Sequence, residues 1–473
     1  MSLLAIAGVI VPMAGYATDG MNLEGYGPIA AGQGGTSLAI DNGVFGAINN
    51  PATLALMESN QRYELSLGRL GPNVSSKFSG AASSDSKATA FYMPGMGWVK
   101  KNRGVVYGAG FLCQGGMGTN YPEDSFLAAG SGESVRSEVS VGRFMLPWAK
   151  RVAKRLCVGA TVDYVCVGMD LKMALSGSQF LDMAGGTRAF GSVSGGMVNA
   201  LNTFVAGGVL NPTAPVNWGR FDFEDRSSST GAARGSAITG KIGLLYDLDS
   251  RFSLGMVYHE KARMSDLKTA DGLVRFNANV DAGIAAGGAP TSTYFPTTIP
   301  LRGSIRVRNF DWPRMIGFGL AYKASDRVKI AADYRWINWV DTMDSFKLSF
   351  TADPNQPGMA AGFSGTTIDA VLPQNWKNQN VFKLGASLQR TPELILRSGV
   401  SLSSNPIPDK YMHPLFPATI ETQYSFGAGY SFKPGRIIDV SFVYAPKVSV
   451  TNGYGVNTSH GQFNCQVMLS RLL

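Results

Sequence analysis

Residues 327–340, which read RVKIAADYRWINWV, alternate between apolar and charged side chains along most of their length. Val328, Ile330, Tyr334 and Trp336 share one parity, while Lys329, Asp333 and Arg335 share the other. Successive side chains of a β-strand point to opposite faces, so the segment predicts a two-faced strand. The alternation recurs elsewhere with aromatic residues on the apolar parity, which favours a transmembrane β-barrel over the alternative, a soluble β-sandwich.

The composition agrees with a barrel and argues against a helical membrane protein. The 473 residues include 58 glycines, 10% aromatic residues and 16% charged residues, and the mean hydropathy is +0.02. No uninterrupted apolar run of about 18 residues occurs, so no transmembrane helix is expected. The net charge is +9, but Lys and Arg are spread along the predicted strands. This pattern predicts a basic barrel facing anionic lipid and lipopolysaccharide, with no nucleic-acid partner.

Residues 1–17 differ from the rest and are typical of a secretory signal peptide. Residues 3–13 form a short apolar core, and Gly15 and Ala17 place small side chains where a signal peptidase cleaves. The mature chain would then start at Thr18. A buried N-terminal strand or helix is the alternative reading, because no Lys or Arg precedes the apolar core.

The hydrophobic pattern predicts about fourteen strands, near residues 61–71, 88–100, 104–114, 135–149, 155–173, 234–247, 252–266, 302–323, 328–349, 380–391, 393–403, 420–433, 436–449 and 460–471. Short turns join several of them, as on the periplasmic side of known barrels. Long connections near 174–233 and 267–301 are predicted as extracellular loops. In the first, Met197, Leu201 and Val205 recur at helical spacing. They predict a short helix that either packs on the barrel rim or receives a hydrophobic ligand.

Residues 18–58 do not alternate and are rich in glycine and small polar residues. A barrel of about fourteen strands has a lumen wider than its own side chains can fill. We therefore expect this segment to form an N-terminal hatch inside the lumen of an all-β, antiparallel transmembrane barrel made by residues 59–473. A phosphate-binding loop is disfavoured, because the segment lacks the Lys-Ser/Thr ending of a P-loop.

Residues that could carry enzymatic or metal chemistry are few and scattered. The histidines and cysteines are His259, His413, His460, Cys113, Cys157, Cys166 and Cys465. No Gly-x-Ser-x-Gly element accompanies the histidines, and the cysteines show neither disulfide nor metal-ligand spacing. The sequence therefore predicts no catalytic residue, no metal and no cofactor.

Several short motifs follow one another in a characteristic order along the chain. They are AIDN at 39–42, NNPA at 49–52, YMPGMGWV at 92–99, FKLG at 382–385, RSGV at 397–400 and GAGYSF at 427–432. Together they resemble the FadL-like outer-membrane transporters, a family that carries long-chain fatty acids and aromatic hydrocarbons. The resemblance covers nearly the whole mature chain.

The resemblance implies a monomeric, hatched barrel of about fourteen strands in the outer membrane of a Gram-negative bacterium. Its apolar outer loops would capture a hydrophobic small molecule and pass it into the lumen. In that family the Asn-Pro-Ala element of the hatch lies near an inward kink of a strand, where a side opening releases the ligand into the bilayer. Asn50, Pro51 and Ala52 are therefore gate candidates. A general aqueous porin is the main alternative, and an outer-membrane lipid hydrolase is a weaker one.

The resemblance also marks candidate ligand-binding residues. Lys377, preceded by Trp376, matches a position where the family places a base near the ligand's carboxylate. Lys172 is a looser candidate at the end of a predicted strand. A lysine in an apolar pocket could neutralise a fatty-acid head group. The alternative for Lys377 is an ordinary solvated loop lysine.

Overall fold

The computed structural model describes residues 19–223 and 232–473, so the predicted signal peptide at 1–17 lies outside the described residues. One sheet of 21 strands dominates the described chain. The strands are β1 Gln61–Phe78, β2 Ser84–Asp85, β3 Phe91–Asn102, β4 Val105–Tyr121, β5 Val135–Ala153, β6 Leu156–Ser176, β7 Ser192–Ser194, β8 Val216–Phe223, β9 Ala233–Asp247, β10 Phe252–His259, β11 Leu267–Asp281, β12 Tyr294–Arg308, β13 Met315–Lys323, β14 Val328–Ile337, β15 Ser345–Ala352, β16 Thr367–Pro373, β17 Gln379–Gln389, β18 Leu394–Ser403, β19 Thr422–Lys433, β20 Arg436–Thr451 and β21 Val456–Leu472.

The helices are short and lie outside the strands. The α-helices are α1 Pro28–Ala31, α2 Gly46–Asn49, α3 Gly177–Gly185, α4 Gly196–Ala206 and α5 Ala282–Ala285. Single turns of 3-10 helix occur at Gly43–Phe45, Pro51–Leu56, Phe126–Ala128, Gly358–Phe363 and Asp409–Tyr411. Judged by length and hydropathy, every helix in the described ranges falls short of what a membrane crossing requires.

The strands close into an antiparallel barrel. Pairing runs β1, β3, β4, β5, β6, β9, β10, β13, β14, β17, β18, β19, β20 and β21, and β21 pairs back onto β1, so the ring passes through fourteen of the described strands. The predicted total of about fourteen strands is nevertheless wrong, because the described residues hold 21 strands.

Of the seven additional strands, β2 pairs with β1, and the other six form a ribbon that continues the sheet beyond the barrel end. It runs from the end of β6 through β8, β11, β12, β15 and β16 to β7. The predicted loop at 267–301 therefore consists largely of β11 and β12. The prediction of one strand at 302–323 is also wrong, because that range holds part of β12 and all of β13. The same is true of 328–349, which holds β14 and part of β15. Alternation continues through both segments, and it gives no sign that the chain leaves the barrel.

The alternation of β14 places its two faces as the sequence predicts. Asp333 and Arg335 are buried on the inside of the ring, where Asp333 accepts a hydrogen bond from the Ser37 amide at 2.8 Å. Ile330 is exposed on the outside, and the Tyr334 ring packs there against Phe382 with centroids 5.0 Å apart. The barrel thus has an apolar outer surface and a polar inner one, as a barrel in lipid requires.

The N-terminal segment, residues 19–57, is almost entirely buried and contacts the inner face of strands around the ring. The Asp19 carboxylate accepts a hydrogen bond from Lys383 of β17 at 2.8 Å. The Gly34 amide donates to Ser425 of β19 at 2.6 Å. These contacts join the segment to inward-facing side chains of β17 and β19.

Candidate functional site

Strand β4 is irregular in its middle. Its register with β5 shifts between Cys113 and Gly115, so Gln114 is an extra residue in a β-bulge. A bulge bends the strand and increases its local twist. The Gln114 side chain accepts a hydrogen bond from Arg143 Nε at 2.7 Å and donates one to Asn22 of the N-terminal segment at 3.4 Å. The bend is therefore fixed by groups on the inside of the barrel.

Backbone pairing between β3 and β4 stops at this bulge. The last paired residues are Gly95 and Leu112. Beyond them, within the described residues, residues 91–94 of β3 have β1 as their one partner strand, and residues 113–121 of β4 have β5 as theirs. The two sides meet again only at Asn120, whose carbonyl accepts from the Lys87 amide at 2.7 Å. The wall consequently has a gap between residues 91–94 and residues 113–118, which we call the wall gap.

The N-terminal segment lines the inner side of the wall gap. Asn22 forms a bridge with Gly115, and the Gly116 amide donates to the Met21 carbonyl at 3.2 Å. The Asn22 carboxamide oxygen also accepts from Trp312 Nε1 at 3.0 Å. The start of the segment thus joins the bent strand as a partial neighbour on its inner face.

A cavity of about 970 Å³ passes through this region. We call it the wall cavity. On the inside, Met21, Leu23 and Val74 line it; on the outside, its lining includes Tyr92 and Tyr164, which are 67% and 51% exposed on the outer surface. A space bounded by both faces of the wall connects the lumen with the barrel exterior. Its size is typical of pockets that hold a small organic molecule.

The charge around the wall cavity is sparse. Its charged side chains are Glu24, Glu138 and Arg234, and no lysine lines it within the described residues. Burial raises the pKa of Glu24, which favours its neutral form. Arg234 already interacts with other groups. The cavity is therefore suited to an uncharged ligand.

A buried ionic row lies beside the bulge on the inner face. Arg143 of β5 contacts Asp163 of β6 at 2.6 Å, and Lys241 of β9 contacts the same carboxylate. All three side chains are buried. Such groups are costly to desolvate, so each depends on its partners. Through Gln114, this row connects the bend of β4 to three neighbouring strands.

The predicted gate residues lie elsewhere in the barrel. The side-chain amide of Asn50 donates to the backbone carbonyls of Leu38 at 2.7 Å and Leu244 at 3.1 Å. Its side-chain oxygen accepts from the backbone amide of Ala52 at 3.1 Å. A Cβ at Gly243 of β9 would lie 1.9 Å from the Asn50 oxygen, so only glycine allows this approach. Asn50, Pro51 and Ala52 thus press against β6 and β9 and do not line the wall cavity.

The predicted ligand residues also lie away from the wall cavity. Trp376 is 2% exposed and packs on Trp339 with ring centroids 5.0 Å apart. Lys377 has an exposed side chain, and its amide donates to the Pro406 carbonyl at 2.7 Å. Lys172 is half-buried near the upper end of β6, opposite Asp222 of β8. The structure therefore does not bring the three residues together.

The family resemblance implies a side opening at a kinked strand but associates it with the Asn-Pro-Ala element, and the position of the wall gap in β4 was missed although the chain carries a signal for it. The bulge lies in the run CQGGMG, residues 113–118, where small residues and one amide interrupt an otherwise alternating strand. Glycine inside a strand often marks a bulge or a close backbone approach. That clue gives the position of an irregularity but not the strand that separates from it.

Comparison with known proteins agrees with this architecture. Residues 4–467 match the family model described as "Outer membrane protein transport protein (OMPP1/FadL/TodX)". The toluene transporter TodX of P. putida is 27% identical, with a TM-score of 0.79 over 96% of this chain and 99% of that one. The toluene transporter TbuX of Ralstonia pickettii is 26% identical, with a TM-score of 0.73 over 96% and 99%.

Two further comparisons are a distant structure that shares the fold and a relative that matches over a short stretch. A Pseudomonas aeruginosa FadL homologue shares the fold at 15% identity, with a TM-score of 0.65 over 97% of this chain and 99% of that one. An uncharacterized protein from the phosphoenolpyruvate carboxykinase gene 5' region of Chlorobium limicola is 40% identical over 75 residues. That alignment covers 16% of this chain and 37% of the relative. On the family match over nearly its whole length, the chain belongs to the outer-membrane transport protein family that includes FadL and TodX.

Proposed function

We propose that this protein takes up hydrophobic small molecules across the outer membrane and releases them sideways through the wall gap. The observation that carries the proposal is the wall cavity, which is bounded by the N-terminal segment inside and by outward-facing tyrosines outside. The free energy of a hydrophobic molecule falls when it leaves water for lipid, and it does not fall when the molecule enters the aqueous periplasm. A lateral exit therefore suits such a molecule better than an axial one.

We further propose that the substrate is a neutral compound, such as a small aromatic hydrocarbon, and not a fatty acid. A carboxylate in an apolar site needs a cationic partner to offset its lost hydration. Arg234 is the one cation among the described lining residues, it already has partners, and two glutamates share the cavity. The similarity to the solved toluene transporters TodX and TbuX supports the same choice.

The N-terminal segment is proposed to act as a hatch. It is buried within the ring and hydrogen-bonded to strands on several sides, including β17 through Asp19 and β19 through Gly34. Such a plug would prevent free diffusion of water and ions, which a general porin permits. Asn50, Pro51 and Ala52 would serve as the clasp that holds the hatch against β6 and β9.

The other predicted residues fit an earlier step. Lys377, Trp376 and Lys172 lie toward the end of the barrel that carries the long connections. We propose that they contribute to capture of the ligand from outside. A solvated role for Lys377 is equally compatible with its exposure.

The experiment that tests the function removes the bulge. Deletion of Gln114 should restore the register of β4 with β5 and allow β3 and β4 to pair along their upper halves. Gram-negative cells whose lipopolysaccharide outer membrane carries the intact protein should take up radiolabelled toluene faster than cells without it, while cells with the deletion variant should not, although both proteins show heat-modifiable migration on gels. Undiminished uptake by the folded deletion variant would refute lateral release. Ion conductance by the intact protein at porin levels would favour the aqueous-porin alternative.

A further inference from the structure

One aromatic side chain occupies the wall gap. Phe91, the first residue of β3, lies on the inward parity of that strand with Met93 and Gly95. A Cβ built on Gly118 of β4 would lie 2.8 Å from Phe91 Cζ and 3.0 Å from Phe91 Cε1. The ring therefore reaches across from β3 and rests on the backbone of β4 where the two strands are unpaired.

The contact lies on the outward face of β4. Gly118 is paired with Glu138 of β5, and Ser140 and Gly142, which share the parity of Glu138, line the outer part of the wall cavity. After its bulge at Gln114, β4 bends toward the inside of the barrel. The outward face of this part of β4 is therefore turned toward the inner face of β3. The Phe91 ring lies between these two faces. It thus narrows the wall cavity between its lumenal part and its outer part.

The Phe91 ring is partly free to move. It is half-buried and packs on one side against the apolar cluster that includes Leu23 and Leu70, but it also lines the wall cavity, and its contact on β4 is a glycine with no side chain. The gap is closed at both ends. At one end Gly95 pairs with Leu112, and at the other the Lys87 amide donates to the Asn120 carbonyl. Pro94, next to the lower end, has no amide hydrogen with which to extend pairing toward β4. The backbone therefore frames an opening that a single ring covers.

We propose that Phe91 is the movable barrier of the wall gap and sets the size of the molecule that passes. Rotation of its side chain vacates a space about one aromatic ring wide. Gly118 is the seat on which the ring closes. This inference rests on the lateral release proposed above, and it assigns the size limit to one residue.

The test measures size selectivity in cells whose lipopolysaccharide outer membrane carries the full chain. Uptake of radiolabelled toluene is compared with that of biphenyl, a neutral hydrocarbon with two rings. Phe91→Ala should raise the biphenyl-to-toluene uptake ratio severalfold, and Phe91→Trp should lower it. Phe426→Ala is the matched control, since Phe426 is 64% exposed on the outer surface of β19.

The outcomes separate this inference from the proposed function. If deletion of Gln114 abolishes uptake but the Phe91 variants keep the wild-type ratio, Phe91 is not the barrier and lateral release stands. If deletion of Gln114 leaves uptake intact, lateral release itself is refuted, and the role of Phe91 with it. Should Phe91→Ala fail to fold, as judged by heat-modifiable migration, Phe91→Leu supplies the same comparison with a smaller loss of packing.

Discussion

Asn50 offers a direct test of how the N-terminal segment is held. Its side chain makes three hydrogen bonds, two as donor to the carbonyls of Leu38 and Leu244 and one as acceptor from the Ala52 amide. The residue is fully buried. Asn50→Ala removes all three bonds, including the bond to Leu244 of β9, and adds no bulk. We expect the segment to separate from β6 and β9 more often, while the barrel strands stay paired.

The magnitude follows from the one bond that joins Asn50 to the barrel wall, because the bonds to Leu38 and Ala52 lie within the N-terminal segment. A buried hydrogen bond contributes about 0.5–1.5 kcal/mol net. Each 1.4 kcal/mol corresponds to a factor of about ten in an equilibrium constant. The detached state of the segment should therefore become about twofold to about tenfold more populated. The strands do not share this loss, because their pairing and outer surface are unchanged.

Two measurements detect the change. Hydrogen exchange of the amides in residues 43–57 should become faster in Asn50→Ala, with little change in the amides of β17 and β18. Single-channel recording in planar bilayers should show more frequent ion-conducting openings. Asn73→Ala, at an exposed position of β1, is the matched control. Exchange and conductance equal to wild type would refute the view that Asn50 clasps the segment to the wall.

Three further predictions concern the barrel and its loops. Trp336→Arg, on the outward parity of β14, should lower the free energy of unfolding by roughly 2–4 kcal/mol if the site lies at mid-bilayer, whereas Lys329→Gln should be nearly neutral in urea titrations. Asp163→Ala should cost about 3–5 kcal/mol in the same titration, because Arg143 and Lys241 would remain buried without their shared carboxylate. Burial lowers the pKa of His413 from 6.5 to about 4, so the loop at 404–421 should keep full stability above pH 6.5 and lose it progressively toward pH 4; exchange of the Leu415 amide, which bonds to His413 Nδ1 at 3.2 Å, should follow that titration.

The alternation of apolar and polar residues predicted the barrel because each strand of the ring has one face toward the exterior and one toward buried polar groups. In β14 the two parities fall where the sequence places them, with Asp333 and Arg335 inside. The N-terminal segment was recognisable for the opposite reason, since residues 18–58 have no two-residue period.

The ribbon beyond the barrel end could not be predicted from the same signal. Strands β11, β12 and β15 alternate as barrel strands do, yet they lie in the ribbon and not in the ring. Which of the two a strand joins depends on pairing partners distant in sequence. The turn between β12 and β13 has one left-handed residue, Asn309 with φ of 57°, which marks a turn but not its direction.

The candidate site residues stay predictions, and the structure places them apart from the wall gap. The Asn-Pro-Ala element is indeed buried against the wall, yet it faces β6 and β9 and not the wall gap. The gap itself depends on which strand fails to pair with β4, a relation that no local motif records. Lys377 was selected by position in the chain, and its side chain is exposed.

Lateral release through the wall gap is tested most directly by closing the gap reversibly. Cysteines at positions 91 and 118, in a chain whose native cysteines are replaced by serine, can be joined by a short bis-methanethiosulfonate bridge that a reducing agent removes. Cells whose lipopolysaccharide outer membrane carries the bridged protein should take up toluene no faster than cells without the protein, and reduction should restore the faster uptake in the same cells. Equal uptake before and after reduction, with the bridge verified by mass spectrometry, would contradict lateral release.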